Sequence, residues 1–260
     1  MAATYDIYPL YLGESLQDKS GHTFRFNSGT KIRNVFYAYL IKGNGRTILV
    51  DTGICDEAFA KKHHPNLMLT APKELDILTV LRQQHGIGTE DIDYIINTHL
   101  HWDHASNNHR FPGKKIYLQR RELHYAIDPL VLHWEVYEAP QSGIVPNWLK
   151  AANQFVLLDG SATLDEGIKV IPLPGHTDGL QGVLVDTTGG QYLLASDCVG
   201  LYENLAGIGL LPYTVAALHT DLSAYCQSME LVKKMENEQG VKIVPGHDEK
   251  VLEHKAFPLR

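Results

Sequence analysis

The chain has 260 residues, 44% of them hydrophobic and 20% charged, and a formal net charge of −7, proportions ordinary for a globular protein with one large core. Lysine and arginine cluster no further than short pairs such as Lys233-Lys234, which excludes nucleic acid as a partner, because a phosphate backbone needs a basic cluster to displace its counterions. Three scattered cysteines (Cys55, Cys198, Cys226) are too few for a disulfide framework or a cysteine-based zinc site, no apolar run reaches membrane-spanning length, and Met1 to Asp6 lacks the basic-then-apolar pattern of a secretory leader, so a reducing cytoplasm is the default compartment.

Tyr5 to Leu12 reads as an extended segment. The β-rich run Val35 to Ile41 turns at Gly43-Asn44-Gly45 and returns over Thr47 to Val50, a hairpin that runs out into Asp51-Thr52-Gly53. Leu75, Leu78 and Leu81 share a helical face that Gly86 ends. Tyr94-Ile95-Ile96 is a short buried strand that delivers the chain to Thr98-His99. Lys115 to Gln119 reads as a strand and Arg121 to Ile127 as a helical turn or two. From Asp128 to Trp148 the periodicity fails at Pro129, Pro140, Gly143 and Pro146.

Strands follow at Gln154–Leu158 and Ile168–Leu173, then a second hairpin, Gly182–Asp186 with Tyr192–Ser196. A helix is predicted over Ser223–Glu238 and a last strand over Lys242–Val244. The halves echo each other. Each has a hairpin followed by an aspartate (Asp51, Asp197), then a helix and a short apolar strand leading to a histidine (His99, His247). That pattern predicts a duplicated unit packed sheet to sheet, and with no linker dividing residues 1–260 a single domain is expected.

Of 14 histidines, three lie in Thr98-His99-Leu100-His101-Trp102-Asp103-His104. Side chains two apart point to one side of an extended segment, so His99 and His101 can face one ion, and the following turn brings Asp103 and His104 to a second position. Three more candidates stand at strand ends: His176 in Pro174-Gly175-His176-Thr177, Asp197 after Ser196, and His247 in Pro245-Gly246-His247-Asp248. Gly or another small residue beside each lets the backbone turn tightly. Seven candidates exceed the three or four ligands that one zinc takes from protein, so two ions are expected. His63, His64, His85, His109, His124, His133, His219 and His254 carry no such context and read as ordinary surface or core residues.

His-x-His-x-Asp-His, followed by Gly-His-Thr, Ser-Asp and a terminal Gly-His-Asp, resembles the metallo-β-lactamase superfamily, and within it the N-acyl-homoserine lactonase branch, from about Val35 to His247. The resemblance implies an α+β fold, a four-layer αββα sandwich with metals at one edge of the two sheets. It implies that His99, His101 and His176 hold one ion, that Asp103, His104 and His247 hold the other, that Asp197 bridges them, and that Asp51 orients ligands from behind. Imidazole and carboxylate ligands suit Zn²⁺ first, with Fe, Mn or Co as alternatives. Two such ions roughly 3.5–4 Å apart can hold a hydroxide and polarise a carbonyl, with bound water acidified to about pKa 7. Asp103 is then free to pass a proton to the leaving oxygen. Cys198 reads as a small buried residue, since Asp197 takes the bridging position; this argues against a true β-lactamase.

Lactone hydrolysis is the expected activity, on a small-molecule substrate with an apolar part; a homodimer is left open. Trp134 to Trp148 could line a groove for an acyl chain. One departure stands out. Lactonases of this branch carry a tyrosine three residues after the bridging aspartate, where this chain has Gly200; Tyr202, or else Tyr213, is the candidate stand-in. The alternatives are a glyoxalase II-like thioesterase, which usually adds basic residues for an acidic thiol cofactor, and a non-catalytic metal-binding scaffold.

Overall fold

The computed structural model describes residues 4–258; residues 1–3 of the segment read as leaderless lie outside it. The first sheet contains β1 (Tyr5–Asp18), β2 (Lys31–Gly43), β3 (Arg46–Val50), β4 (Leu69–Thr70), β5 (Tyr94–Ile96), β6 (Lys115–Gln119) and β7 (Phe155–Leu158), in the order β4-β1-β2-β3-β5-β6-β7. The second contains β8 (Ala162–Asp165), β9 (Ile168–Pro172), β10 (Gln181–Thr187), β11 (Gly190–Ser196) and β12 (Lys242–Pro245), in the order β12-β11-β10-β9-β8.

Strand periodicity explains the layering. Val35, Tyr37, Tyr39 and Ile41 of β2 point into a core shared with Val183, Val185 and Leu194 of the second sheet. The alternate residues Phe36, Ala38 and Leu40 point the other way. Both faces of β2 are therefore buried, which is why it reads as a continuous apolar run. The helices are α1 (Glu57–His63), α2 (Ile77–His85), α3 (Trp102–Ala105), α4 (Arg120–Ile127), α5 (Trp134–Tyr137), α6 (Tyr202–Ala206) and α7 (Leu222–Gln239). Ile77, Val80 and Leu81 of α2 cover the outer face of the first sheet. Tyr225, Met229 and Val232 of α7, one helical stripe, cover that of the second. The result is the expected helix–sheet–sheet–helix sandwich.

Two differences from the sequence reading have local causes. Helix α2 begins at Ile77 rather than Leu75, because the Asp76 carboxylate caps the amides of Leu78 and Thr79; Gly86, in a left-handed conformation, ends it as expected. Helix α1 buries only Ala60, so it presents no apolar stripe to read.

The internal echo is present in the pairing. Strands β3 and β5 run parallel, as do β11 and β12. In each pair the first strand ends in a residue with positive φ, Asp51 (59°) directly after β3 and Ser196 (48°) at the end of β11, and both ends meet Thr98 at the same edge of the sandwich. No helix among the described residues is long and apolar enough to cross a membrane.

Candidate metal centre

The site is assembled at the carboxyl ends of those strands. Asp51 Oδ1 accepts the Thr98 amide (2.7 Å), while Oδ2 accepts the Thr98 hydroxyl and lies 2.8 Å from His104 Nδ1. One buried carboxylate thus sets the start of the motif loop and turns His104 so that its Nε2 faces inward. His247 Nδ1 donates to the Val35 carbonyl and His176 Nδ1 to the Leu218 carbonyl, both at 2.9 Å, which turns each Nε2 toward the centre.

The inward atoms form two groups. His99, His101, His176 and Asp197 bring one potential ligand atom each within 4.8 Å of one another, and Asp103, His104 and His247 do the same beside them. Asp197 faces both: Oδ2 is 3.2 Å from His176 Nε2, and Oδ1 is 3.2 Å from His104 Nε2 and 3.0 Å from His247 Nε2. Asp103 Oδ2 lies 3.6 and 3.7 Å from the same two histidine nitrogens. All seven sequence candidates for metal binding therefore converge.

The donor set fits metal ions. His99 is fully buried, its Nδ1 lies 3.1 Å from Thr98 Oγ1, and its Nε2 has no hydrogen-bond partner among the described residues, a costly arrangement unless a cation takes the lone pair. Burial, reinforced by neighbouring histidines, holds the His99 and His101 imidazoles well below their ordinary value, so both are neutral and able to ligate. Burial opposes ionisation of Asp197, yet His247, His104 and His176 outweigh it and hold the carboxyl well below its usual range.

Glycines allow the close packing. Gly175, at φ +134°, sits where a Cβ would lie 2.2 Å from the Tyr225 Cα, so the loop carrying His176 can rest directly on α7. Gly200 explains the missing tyrosine: a Cβ there would lie 2.8 Å from His22 Nδ1. The His22 ring occupies this volume, beside Asn34 and His247. Burial, with His247 adding to it, pulls its imidazole down to about 4, so it is neutral at physiological pH.

A cavity of about 350 Å³ opens onto the centre, lined by His22, Leu67, Trp102, Val136 and Leu218 among others. Neither Tyr202 nor Tyr213 reaches it. The Tyr202 amide is held by Asp248 Oδ2 and its ring packs on the core between the sheets, while the Tyr213 hydroxyl donates to Glu230. Tyr202→Phe is accordingly expected to leave kcat unchanged; a fall in kcat with metal content and Tm intact would return the hydroxyl to the reaction. Trp148 is 3% exposed and donates to the Tyr137 carbonyl, so it caps the core rather than lining a groove, and Trp134 donates to the Pro129 carbonyl. Their segment contributes Glu135 and Val136 to the cavity instead. Cys198 is buried, as expected.

Three contributors escaped the sequence reading. His22 carries no motif, and Trp102 lies inside the motif but looked like a spacer. Glu122, fully buried, accepts from the Leu100 amide (3.0 Å), Tyr137 hydroxyl (2.9 Å), Thr177 hydroxyl (2.6 Å) and Gly179 amide (3.1 Å), tying the loop of His101 to that of His176. Tyr137 in turn stands edge-on to the His101 ring at 4.6 Å.

A αββα sandwich with this ligand constellation defines a class, and the family model for the metallo-beta-lactamase superfamily matches residues 37–247: the chain belongs to that superfamily. Within it, the chain is 27% identical to an N-acyl homoserine lactonase of Bacillus cereus, over 92% of this chain and 97% of the relative. It is equally 27% identical to the lactonase AiiA of Bacillus thuringiensis subsp. kurstaki, over 88% of each. Among solved structures, an N-acyl homoserine lactone hydrolase with N-hexanoyl-L-homoserine at its catalytic metal centre superposes with a TM-score of 0.79 at 23% identity, covering 97% of this chain and 96% of that one. AidC, a dizinc quorum-quenching lactonase, superposes at 0.72 with 18% identity, covering 96% and 89%.

Proposed function

We propose that the protein is a dinuclear metal-dependent lactonase that opens N-acyl-homoserine-lactone-like rings, with zinc as the first metal to expect. The observation that carries this reading is Asp197, whose two oxygens face two separate ligand groups at the floor of an apolar-walled cavity. In it, His99, His101 and His176 would hold one ion, Asp103, His104 and His247 the other, with Asp197 facing both. Such a pair supplies a nucleophile from water at neutral pH and polarises the carbonyl under attack.

The chain's own residues do the rest. Asp51 and the carbonyls of Val35 and Leu218 fix the imidazole orientations. Asp103, with a side chain 12% exposed at the cavity floor, carries a proton to the alkoxide that leaves when the ring opens. Neutral His22, in the volume that a tyrosine fills in relatives, offers a ring nitrogen toward the substrate. Leu67, Trp102, Val136 and Leu218 take the acyl chain, each buried CH₂ contributing roughly 0.8 kcal/mol.

Among the described residues the cavity lining includes no lysine or arginine, which favours an uncharged lactone over the acidic thiol cofactor of a glyoxalase II-like thioesterase. The test is a hydrolysis screen of metal-loaded protein over lactones, thioesters, β-lactams and phosphodiesters. Acyl-homoserine lactones should turn over fastest, with kcat/KM rising along the acyl series; faster thioester turnover, or none at all, would overturn the assignment.

A further inference from the structure

A second convergence of ligand-type groups lies at the cavity wall, to which its member His64 contributes. Cys55, His64 and Glu138 are 5%, 1% and 1% exposed, and a sulfur, a ring nitrogen and a carboxylate oxygen from them lie within 4.8 Å of one another. They come from three separate segments: the loop after β3, the end of α1, and the end of α5. His64 Nε2 is 3.2 Å from Glu138 Oε1. The two are hydrogen-bonded to each other, and two ligands at tetrahedral zinc distances stand at a similar separation, about 3.3 Å, so an ion could take the place of the shared proton without moving them. The same spacing recurs in the main centre, where His176 Nε2 and Asp197 Oδ2 are 3.2 Å apart.

The three groups are buried together and close enough to share one ion. Glu138 sits at φ 51°, the left-handed cap of α5, and its carboxylate is buried with Oε1 on His64 and Oε2 on the Asn147 amide. Burial, with the Glu138 charge adding to it, pushes the Cys55 thiol up. A thiolate, a carboxylate and a neutral imidazole around a divalent ion sum to zero charge, whereas thiolate and carboxylate side by side would repel.

We propose that Cys55, His64 and Glu138 form a third, structural metal site of the zinc class, separate from the dinuclear centre. The Cys55 thiol proton passes to solvent as the ion binds, so the S–H bond is exchanged for a metal–sulfur bond with no redox change. Cys55 also lines a neighbouring cavity of about 860 Å³, which offers the ion an entry route and a water for the fourth position. The ion would pin α1 and the 134–148 segment to the first sheet. That would brace the His64–Trp102 ring pair (5.0 Å) that backs the substrate cavity.

Cobalt substitution tests the site independently of any substrate. The seven residues of the dinuclear centre include no cysteine, so a near-ultraviolet sulfur-to-cobalt charge-transfer band in the Co²⁺-loaded protein reports this site. The band should be present in the parent and in Cys198→Ser, and absent in Cys55→Ser. Cys55→Ser should also lose one metal equivalent and melt at a lower temperature while keeping its turnover. Glu138→Gln serves if Cys55→Ser does not fold, and should likewise lose one equivalent. Absence of the band from the parent, its survival in Cys55→Ser, or unchanged metal content in both variants would overturn the proposal, whatever the fate of the lactonase reading.

Discussion

Asp103→Asn is expected to slow lactone hydrolysis by about 10²–10⁴-fold, the range lost with a proton-transfer group. The carboxylate stands 3.6 and 3.7 Å from the Nε2 atoms of His104 and His247, at the floor of the cavity where a leaving oxygen would emerge. An asparagine oxygen can still face a metal, but the amide cannot accept and release a proton near neutral pH. Metal content should therefore change much less than rate. Elemental analysis beside kcat separates the two roles. Near-normal turnover with metals bound would remove Asp103 from proton transfer, and parallel loss of metal and rate would reduce it to a ligand.

Glu122→Ala should produce the largest loss of stability. Alanine leaves two hydroxyl and two amide donors buried without an acceptor. Removing one partner of a buried, fully hydrogen-bonded charge costs roughly 3–5 kcal/mol. For a chain of this size that lowers Tm by roughly 6–20 °C. Because the same carboxylate ties together the loops of His101 and His176, metal affinity should fall as well. Glu122→Gln keeps one acceptor oxygen and should fall between parent and alanine. A melting curve of Glu122→Ala that overlays the parent would show the two loops to be held by other contacts.

The contrast between Asp103 and Glu122 shows what could be read from the sequence. Asp103 lies in a contiguous motif, where an extended stretch and the turn after it bring ligands together, and Asp197 and His247 are marked by the small residues and strand ends beside them. Glu122 follows Arg120 and Arg121 at the start of α4, a pattern that looks like a solvated helix end. Only the docking of two distant loops buries it. His64, read only as an ordinary surface or core residue, is in fact enclosed by Trp102 and Glu138 at the end of a short polar helix, a placement its sequence neighbours do not signal. The sandwich itself was legible, since alternating strands and the stripe of α7 are local signals. Which tryptophan met the cavity was not, because Trp102, Trp134 and Trp148 differ only in tertiary placement.

The paired parallel strands carry a consequence for how the centre comes into being. His99, His101, Asp103 and His104 belong to the first sheet's half of the chain, and His176, Asp197 and His247 to the second. Neither half owns a complete set for either ion, because each ligand group draws from both. The centre is thus a property of the seam. It exists only when the two half-units have closed face to face in the right alignment, so metal capture reports the finished fold rather than either sheet alone. Ions binding there would in turn act as rivets across the join, holding shut the two units whose meeting created their site.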